Sequence, residues 1–336
     1  MNILNITKVL AISAAVVFSM ATTADTVKLK MATDSGSKGS PTGNAIDNWA
    51  SLIEKNTAGT ADEIKIDIFY QDELGDQKEV FDLFTVGEVD MMLNWPLTSY
   101  DKRMGLRNTP YMFFNWEQAF EAYRPGGWLN TIYQGVYKDQ GMEFFGAWPE
   151  GFAGVATRGK YATTVEGAQG IKVRVPSGFP NPQTLQALGY QPATITWGEV
   201  YTSIQTGVVD GEAGNIIYWD YEYFRDVLTH YTRIKHMFVT GVLSMNTESW
   251  ENLNANQQKI VADAALIVME KQFTDAKALD QSYVDKAVAS GMKYIEPTDE
   301  EIRALAKVAR EQVWPLMEEE MGSEIVQQLR DNAPKL

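Results

Sequence analysis

Apolar and polar positions alternate through residues 27–32 (V-K-L-K-M-A) and 64–69 (I-K-I-D-I-F), a period of two that predicts two half-buried strands. Between them, residues 33–44 are rich in Gly, Ser and Pro and read as a loop, and residues 45–55 carry the spacing of an amphipathic helix. Leu74-Gly75-Asp76 opens a second helix, with Val80, Phe81 and Phe84 at helical spacing. Gly87-Glu88-Val89-Asp90 turns into an apolar strand at residues 91–93. The order β-α-β-α-β predicts a parallel sheet covered by helices. In such sheets ligands bind where loops leave the carboxyl ends of the strands. Those loops carry Asp34 and Ser35 after the first strand, and Asn94, Trp95 and Pro96 after the third.

Residues 104–137 are aromatic-rich and mostly helical in pattern. Residues 143–145 read as a strand leading into 146–154 (G-A-W-P-E-G-F-A-G), which is too rich in Gly for a regular element. No Lys follows those glycines, so they form no phosphate loop. Residues 171–175 alternate again and predict a strand ended by Pro176, with Arg174 on the face opposite Val173 and Val175. Residues 182–189 give a short helix, 193–196 a strand, and 197–201 open a helix that stops at Gly207. Residues 208–212 then repeat the pattern of 88–92. Two copies of helix, Gly and acidic strand, roughly 120 residues apart, predict two domains of similar build.

Residues 234–243 supply a strand returning to the first domain. Asn254 caps the next helix, with Gln257 as its box partner. Residues 255–290 contain neither Gly nor Pro, and about 35 residues at 1.5 Å rise reach roughly 50 Å, long enough to cross both domains. Residues 294–295 read as a strand, and 299–310 with 313–330 as closing helices, the last bent at Pro315.

Composition adds an address. Lys8, the uncharged run 9–21 and Thr22-Thr23-Ala24 have the layout of a cleaved secretory signal over residues 1–24. No later stretch approaches the ~18 apolar residues of a span, so stable membrane insertion is not expected. A net charge of −15 on 336 residues argues against nucleic-acid binding, which needs clustered Lys and Arg. With no Cys, stability comes from burial rather than cross-links.

Catalytic chemistry is hard to find. His230 and His236 lie in a Tyr/Arg/Lys-rich stretch, no Gly-x-Ser-x-Gly occurs, and His and carboxylates lack metal-ligand spacing. No catalytic residue, metal or cofactor is expected. Arg174 is the exception in chemistry. A guanidinium fixed on a strand beside a Gly/Pro-rich turn can dock a carboxylate through two parallel hydrogen bonds, the plain alternative being a surface ion pair.

Gly170-Ile-Lys-Val-Arg-Val-Pro176, Glu199-Val-Tyr201 and Gln205-Thr-Gly-Val-Val-Asp-Gly211 occur in that order. Together with Leu74-Gly75-Asp76, Gly87-Glu-Val-Asp90 and the long helix, they make the chain resemble the substrate-binding proteins of tripartite ATP-independent periplasmic (TRAP) transporters, over nearly everything after the signal. The resemblance implies a two-lobed periplasmic-binding-protein-like α/β fold: two discontinuous α/β domains and a long helix spanning both. Lobe I would be 25–154 plus 240–279, and lobe II 155–239 plus 280–336. It implies a periplasmic protein that closes on a small organic acid and delivers it to TRAP membrane permease subunits, with Arg174 holding the ligand carboxylate.

Departures from the family pattern shape the expected ligand. A second Arg that many acidic-sugar binders carry is replaced by Gly154, and the nearest Arg is Arg158. Gly214 stands where an Asn often follows Asp-Gly, with Asn215 next to it. Trp95 occupies an often polar position, Trp197 is the expected aromatic, and Asp34 lies where several members have a polar group. Trp95, Trp148, Trp197 and Trp219 could then enclose the ligand, and indoles near an Asp suit a cation or an apolar ring. The expected ligand is a monocarboxylate with an aromatic or a cationic, zwitterionic part. A sulfonate or dicarboxylate, service to another transporter or a sensor, and an exported enzyme acting on carboxylates are the alternatives.

Overall fold

The computed structural model describes residues 26–336; the expected signal segment, 1–24, lies outside them. In chain order the elements are β1 (Val27–Thr33), α1 (Pro41–Thr57), β2 (Ile64–Phe69), α2 (Gln77–Thr85), β3 (Met91–Asn94), a 3-10 helix (Lys102–Asn108), α3 (Trp116–Tyr123), α4 (Trp128–Asp139) and β4 (Met142–Phe152). They continue with β5 (Val155–Thr157), α5 (Val165–Ala168), β6 (Lys172–Val175), α6 (Asn181–Ala187), β7 (Gln191–Thr194), α7 (Val200–Gln205), β8 (Gly211–Ala213), α8 (Ile217–Phe224) and β9 (His230–Thr232). The chain closes with β10 (Phe238–Asn246), α9 (Thr247–Glu251), α10 (Ala255–Ala289), β11 (Lys293–Ile295), α11 (Asp299–Met321) and α12 (Ser323–Asn332).

Two sheets form, ordered β2-β1-β3-β10-β4 and β11-β9-β5-β8-β6-β7. In each, three strands run parallel (β2-β1-β3 and β7-β6-β8) and the strand arriving from elsewhere in the chain (β10 or β5) pairs antiparallel beside the third. The sequence repeat is thus a structural repeat, and its two Asp residues do the same job. Asp90 accepts from the Lys30 backbone N–H at 2.7 Å while its own N–H donates to the Lys30 carbonyl. Asp210 makes the same pair of bonds with Lys172, at 2.9 and 2.7 Å. Each carboxylate ties the entry of the third strand to the first.

Local signals hold well at helix starts. Asp76 and Glu79 form a reciprocal capping box on α2, and Asn254 and Gln257 form one on α10. Helix α10 runs 35 residues. Its Val261, Ala265 and Met269 join the first-lobe core, and Tyr283 and Ala287 pack in the second. Three expectations are corrected. The Gly-rich residues 146–154 are mostly strand: β4 extends to Phe152, because pairing with β10 through two register shifts satisfies its backbone. Pro315 lies inside α11, and the break falls at Gly322, whose φ of 95° suits Gly. The C-terminal segment does not stay with lobe II. Ile302 to Ala309 pack there, but Val313, Trp314, Met317, Val326 and Leu329 are buried in the first-lobe core.

The chain crosses between the sheets at Ala153–Gly154 and again at 233–237, and the crossings bond to each other through the Ala153 N–H and Met237 carbonyl at 2.9 Å. These two segments link the sheets of the two lobes. A Cβ on Gly154 would stand 2.3 Å from Cζ of Tyr231, so the crossing needs Gly at this point. Gly154→Ala is expected to cost about 1–3 kcal/mol through overpacking, read as a lower midpoint in urea unfolding. The same ring explains the missing second Arg, since a long side chain at 154 would collide with Tyr231.

Candidate functional site

Arg174 lies on β6, which is paired on both sides by β7 and β8, and it is 4% exposed instead of solvated. Its Nε donates to the Ile195 carbonyl at 2.9 Å, and Nη1 donates to Glu212 Oε2 at 3.3 Å. Cζ stands 5.8 Å from the Trp197 ring centre, within cation–π range. Asn215 completes the group: its backbone N–H donates to Glu212 Oε1 at 3.2 Å, and its Nδ2 donates to Asp220 Oδ1 at 3.2 Å. Glu212 and Asp220 are fully buried, and burial is the main reason both titrate above the usual carboxylate range. The Arg174 charge partly offsets this at Glu212, while the neighbouring Glu212 carboxyl raises Asp220 further. The sequence reading missed these two acids, although Glu212 sits in the repeated Asp-Gly pattern.

The first lobe has its own group at the carboxyl ends of its strands. Asp34 follows β1, and its Oδ2 accepts from Gln77 Nε2 at 3.1 Å and from the Trp95 backbone N–H at 3.3 Å. Part of its surface is open, yet Oδ1 is shut from water without a partner, and burial lifts the carboxyl to about 7. Trp95 is half-buried beside Gly241, where a side chain would crowd its ring at 3.4 Å. Arg107, on the 3-10 helix, acts electrostatically on Asp34 and forms no ion pair within 4.0 Å among the described residues. Burial lowers its proton affinity.

Glu150, on β4 just before the crossing, connects the lobes. It is 6% exposed, and Oε1 accepts from Trp219 Nε1 of α8 at 2.7 Å. Burial raises its carboxyl to about 7; the Trp219 bond, the Arg107 charge and the nearby Trp95 indole N–H all oppose that rise. The folded chain holds this proton more tightly than the unfolded one. Glu150 therefore favours the fold most below pH ~4 and loses that contribution as pH rises towards 7. Trp219 meets Trp197 edge-on at 6.3 Å, which links Glu150 through two indoles to Arg174.

Two candidates leave the site. Trp148 is 1% exposed in the first-lobe core and reaches the cleft only through its edge-on contact with Trp95 at 6.0 Å. The pleat of β4 turns its ring inward, which a loop assignment could not foresee. Arg158 points away: its Nη1 donates to the carbonyls of Ile204 and Gln205 at 2.6 and 3.2 Å, where the C-terminal end of α7 attracts a cation. Arg174, Asn215, Trp197 and Trp219 lie together in the second lobe and Asp34 with Trp95 in the first, the Glu150–Trp219 bond being the contact between the two lobes nearby. Surface hollows of 410, 380 and 400 Å³ share no residue with either group.

Two α/β lobes joined by crossing segments and a shared helix have the architecture of two-lobed solute-binding proteins. Residues 32–320 match the model of the bacterial extracellular solute-binding protein family 7, and the chain belongs to that family. It is a substrate-binding protein rather than an enzyme.

Among its relatives, the ectoine-binding periplasmic protein TeaA of Halomonas elongata is 26% identical over 226 residues, spanning 66% of each chain. The C4-dicarboxylate-binding periplasmic protein DctP of Rhodobacter capsulatus is 23% identical over 291 residues, 85% of this chain and 84% of that one. A crystal structure of a TRAP periplasmic solute binding protein from Ochrobactrum anthropi superposes with a TM-score of 0.83 at 22% identity, covering 91% of this chain and 94% of that one. The resemblance to TRAP binding proteins is borne out.

Proposed function

We propose that this protein captures a small organic acid between its lobes in the periplasm and hands it to the membrane permease of a TRAP transporter. The ligand carboxylate docks on Arg174, and the indoles of Trp95 and Trp197 cover an aromatic or cationic remainder. The observation carrying this reading is that Arg174 is buried at the strand ends with two protein hydrogen bonds among the described residues, so further N–H donors are left for a ligand. A ligand touching Arg174 on one lobe and Trp95 with Asp34 on the other favours the closed arrangement, with the crossings at 153–154 and 233–237 as hinges. The family and the periplasmic names of the relatives support the location and the partner.

Arg107, which has no counter-ion within 4.0 Å among the described residues, is the observation that favours a dicarboxylate as the second reading. A thermal-shift screen of the mature chain against monocarboxylates, zwitterions, sulfonates and dicarboxylates separates the two. A ligand at ~100 times its Kd adds roughly 2.7 kcal/mol of stability. Stabilisation by none of these classes would remove the organic-acid reading.

A further inference from the structure

The loop that leaves β6 is held by the first lobe. Five residues beyond Arg174, the Phe179 backbone N–H donates to Thr98 Oγ1 at 3.4 Å, and the Phe179 carbonyl accepts from Asn108 Nδ2 at 3.3 Å. The Phe179 ring packs against the first-lobe core, with Lys102 Nζ 5.8 Å from the ring centre. Gly105 on the 3-10 helix leaves the room for this contact: a Cβ there would stand 2.6 Å from the Phe179 carbonyl oxygen and 2.9 Å from Thr98 Cγ2. We propose that Gly105 and Asn108 are positioning residues for Arg174, seating the Phe179 loop and so fixing the angle between the lobes at which Arg174 meets a ligand. The proposal rests on the Arg174 reading and extends it to a contact in which Arg174 itself takes no part.

Both sides of this seat follow the carboxyl ends of strands, Thr98 after β3 and Phe179 after β6. It therefore ties together the loops that carry Trp95 and follow Arg174, whereas the covalent crossings run at 153–154 and 233–237. Between Arg174 and Phe179 the chain has little slack. Val175 is paired with Thr194 of β7, Pro176 fixes its own φ and holds Val175 extended, and the Gly178 carbonyl accepts from the Asn181 N–H at 2.9 Å as α6 begins. A shift of Phe179 is thus passed back to the strand that holds Arg174. Unlike the crossings, the seat is noncovalent: two hydrogen bonds and one half-buried ring can part and re-form while both lobes stay folded. A ligand bridging the lobes gains from whatever already holds them at the binding angle, because less of its binding energy goes into bringing them there.

Spin-label distances on the full mature chain test this. The sequence contains no Cys, so Val86→Cys and Val208→Cys place one label on each lobe, at side chains 71% and 53% exposed. Label-to-label distances are measured without ligand in this background and again with Gly105→Ala or Phe179→Ala added. Both variants are expected to broaden the distance distribution, since the added methyl or the lost ring unseats the loop. Stopped-flow Trp fluorescence with succinate and ectoine as probes supplies the second readout. The off-rate of whichever probe binds the wild type should rise by about tenfold or more in both variants, with the on-rate changed by less than about threefold.

An unchanged distance distribution in both variants overturns the proposal, as does a wild-type off-rate in both. A lower urea midpoint with distances and off-rate unmoved would make the seat packing alone, and overturns it too. Should Gly105→Ala fail to fold, Phe179→Ala, in a loop, decides by the same distances; if neither probe binds, the ligand-free distances decide. Failure of the parent reading is seen separately, as Arg174→Ala binding each probe as wild type does, because the ligand-free distances do not depend on Arg174.

Discussion

Arg174→Ala is expected to weaken ligand binding at least roughly 30-fold, about 2 kcal/mol or more. The loss has two parts. A ligand carboxylate in the closed cleft would lose its charged, two-pronged partner, and Glu212 would lose the cation it meets at 3.3 Å. Arg174→Lys keeps the charge but not the planar fork, so it should recover only part of the affinity. Folding should survive, because Glu212 and Asp220 already titrate high and can remain protonated when the guanidinium is gone. Calorimetry with the best ligand from the screen measures the effect. Near wild-type affinity in the Ala variant would take Arg174 out of the site.

The second large effect concerns the crossing. Arg233 lies where the chain leaves β9 for the first sheet, and its Nη1 donates to Asp280 Oδ1 of α10 at 3.0 Å while Nη2 reaches the other carboxylate oxygen. Both side chains are about 8% exposed. Burial opposes the Arg233 charge, but Asp280 more than offsets it and holds the guanidinium above its usual range. Asp280→Ala should therefore destabilise the protein by about 3–5 kcal/mol, since it leaves a buried cation without a partner. Replacing both partners by apolar residues should cost much less. Chemical unfolding of the two variants distinguishes the cases. If the single variant unfolds at the wild-type midpoint, the pair does not anchor the crossing to the long helix.

Much of the architecture was readable along the chain because its signals are local. The period-two strands at 27–32 and 64–69, the caps at Asp76 and Asn254, and the Gly-free stretch 255–290 each depend on neighbours a few residues away. So did the repeat at Asp90 and Asp210, whose matching backbone bonds appear in both sheets. Arg174 stood out for a similar reason: a charged residue within an apolar strand needs a partner, and its position matched a known pattern.

Pairing across the chain settled what the order of residues left open. Residues 146–154 look irregular until β10, some ninety residues on, supplies the partner strand. Trp148 then faces the core and Glu150 meets Trp219, contacts that depend on the pleat of a strand no local pattern announced. Arg158, Glu212 and Asp220 found their roles in the same way, at distances that only the closed fold creates. Backbone periodicity is carried by adjacent residues and survives in a one-dimensional reading. The proton affinity and orientation of a buried charge depend on which distant groups displace water around it, and that is known only once both lobes are assembled.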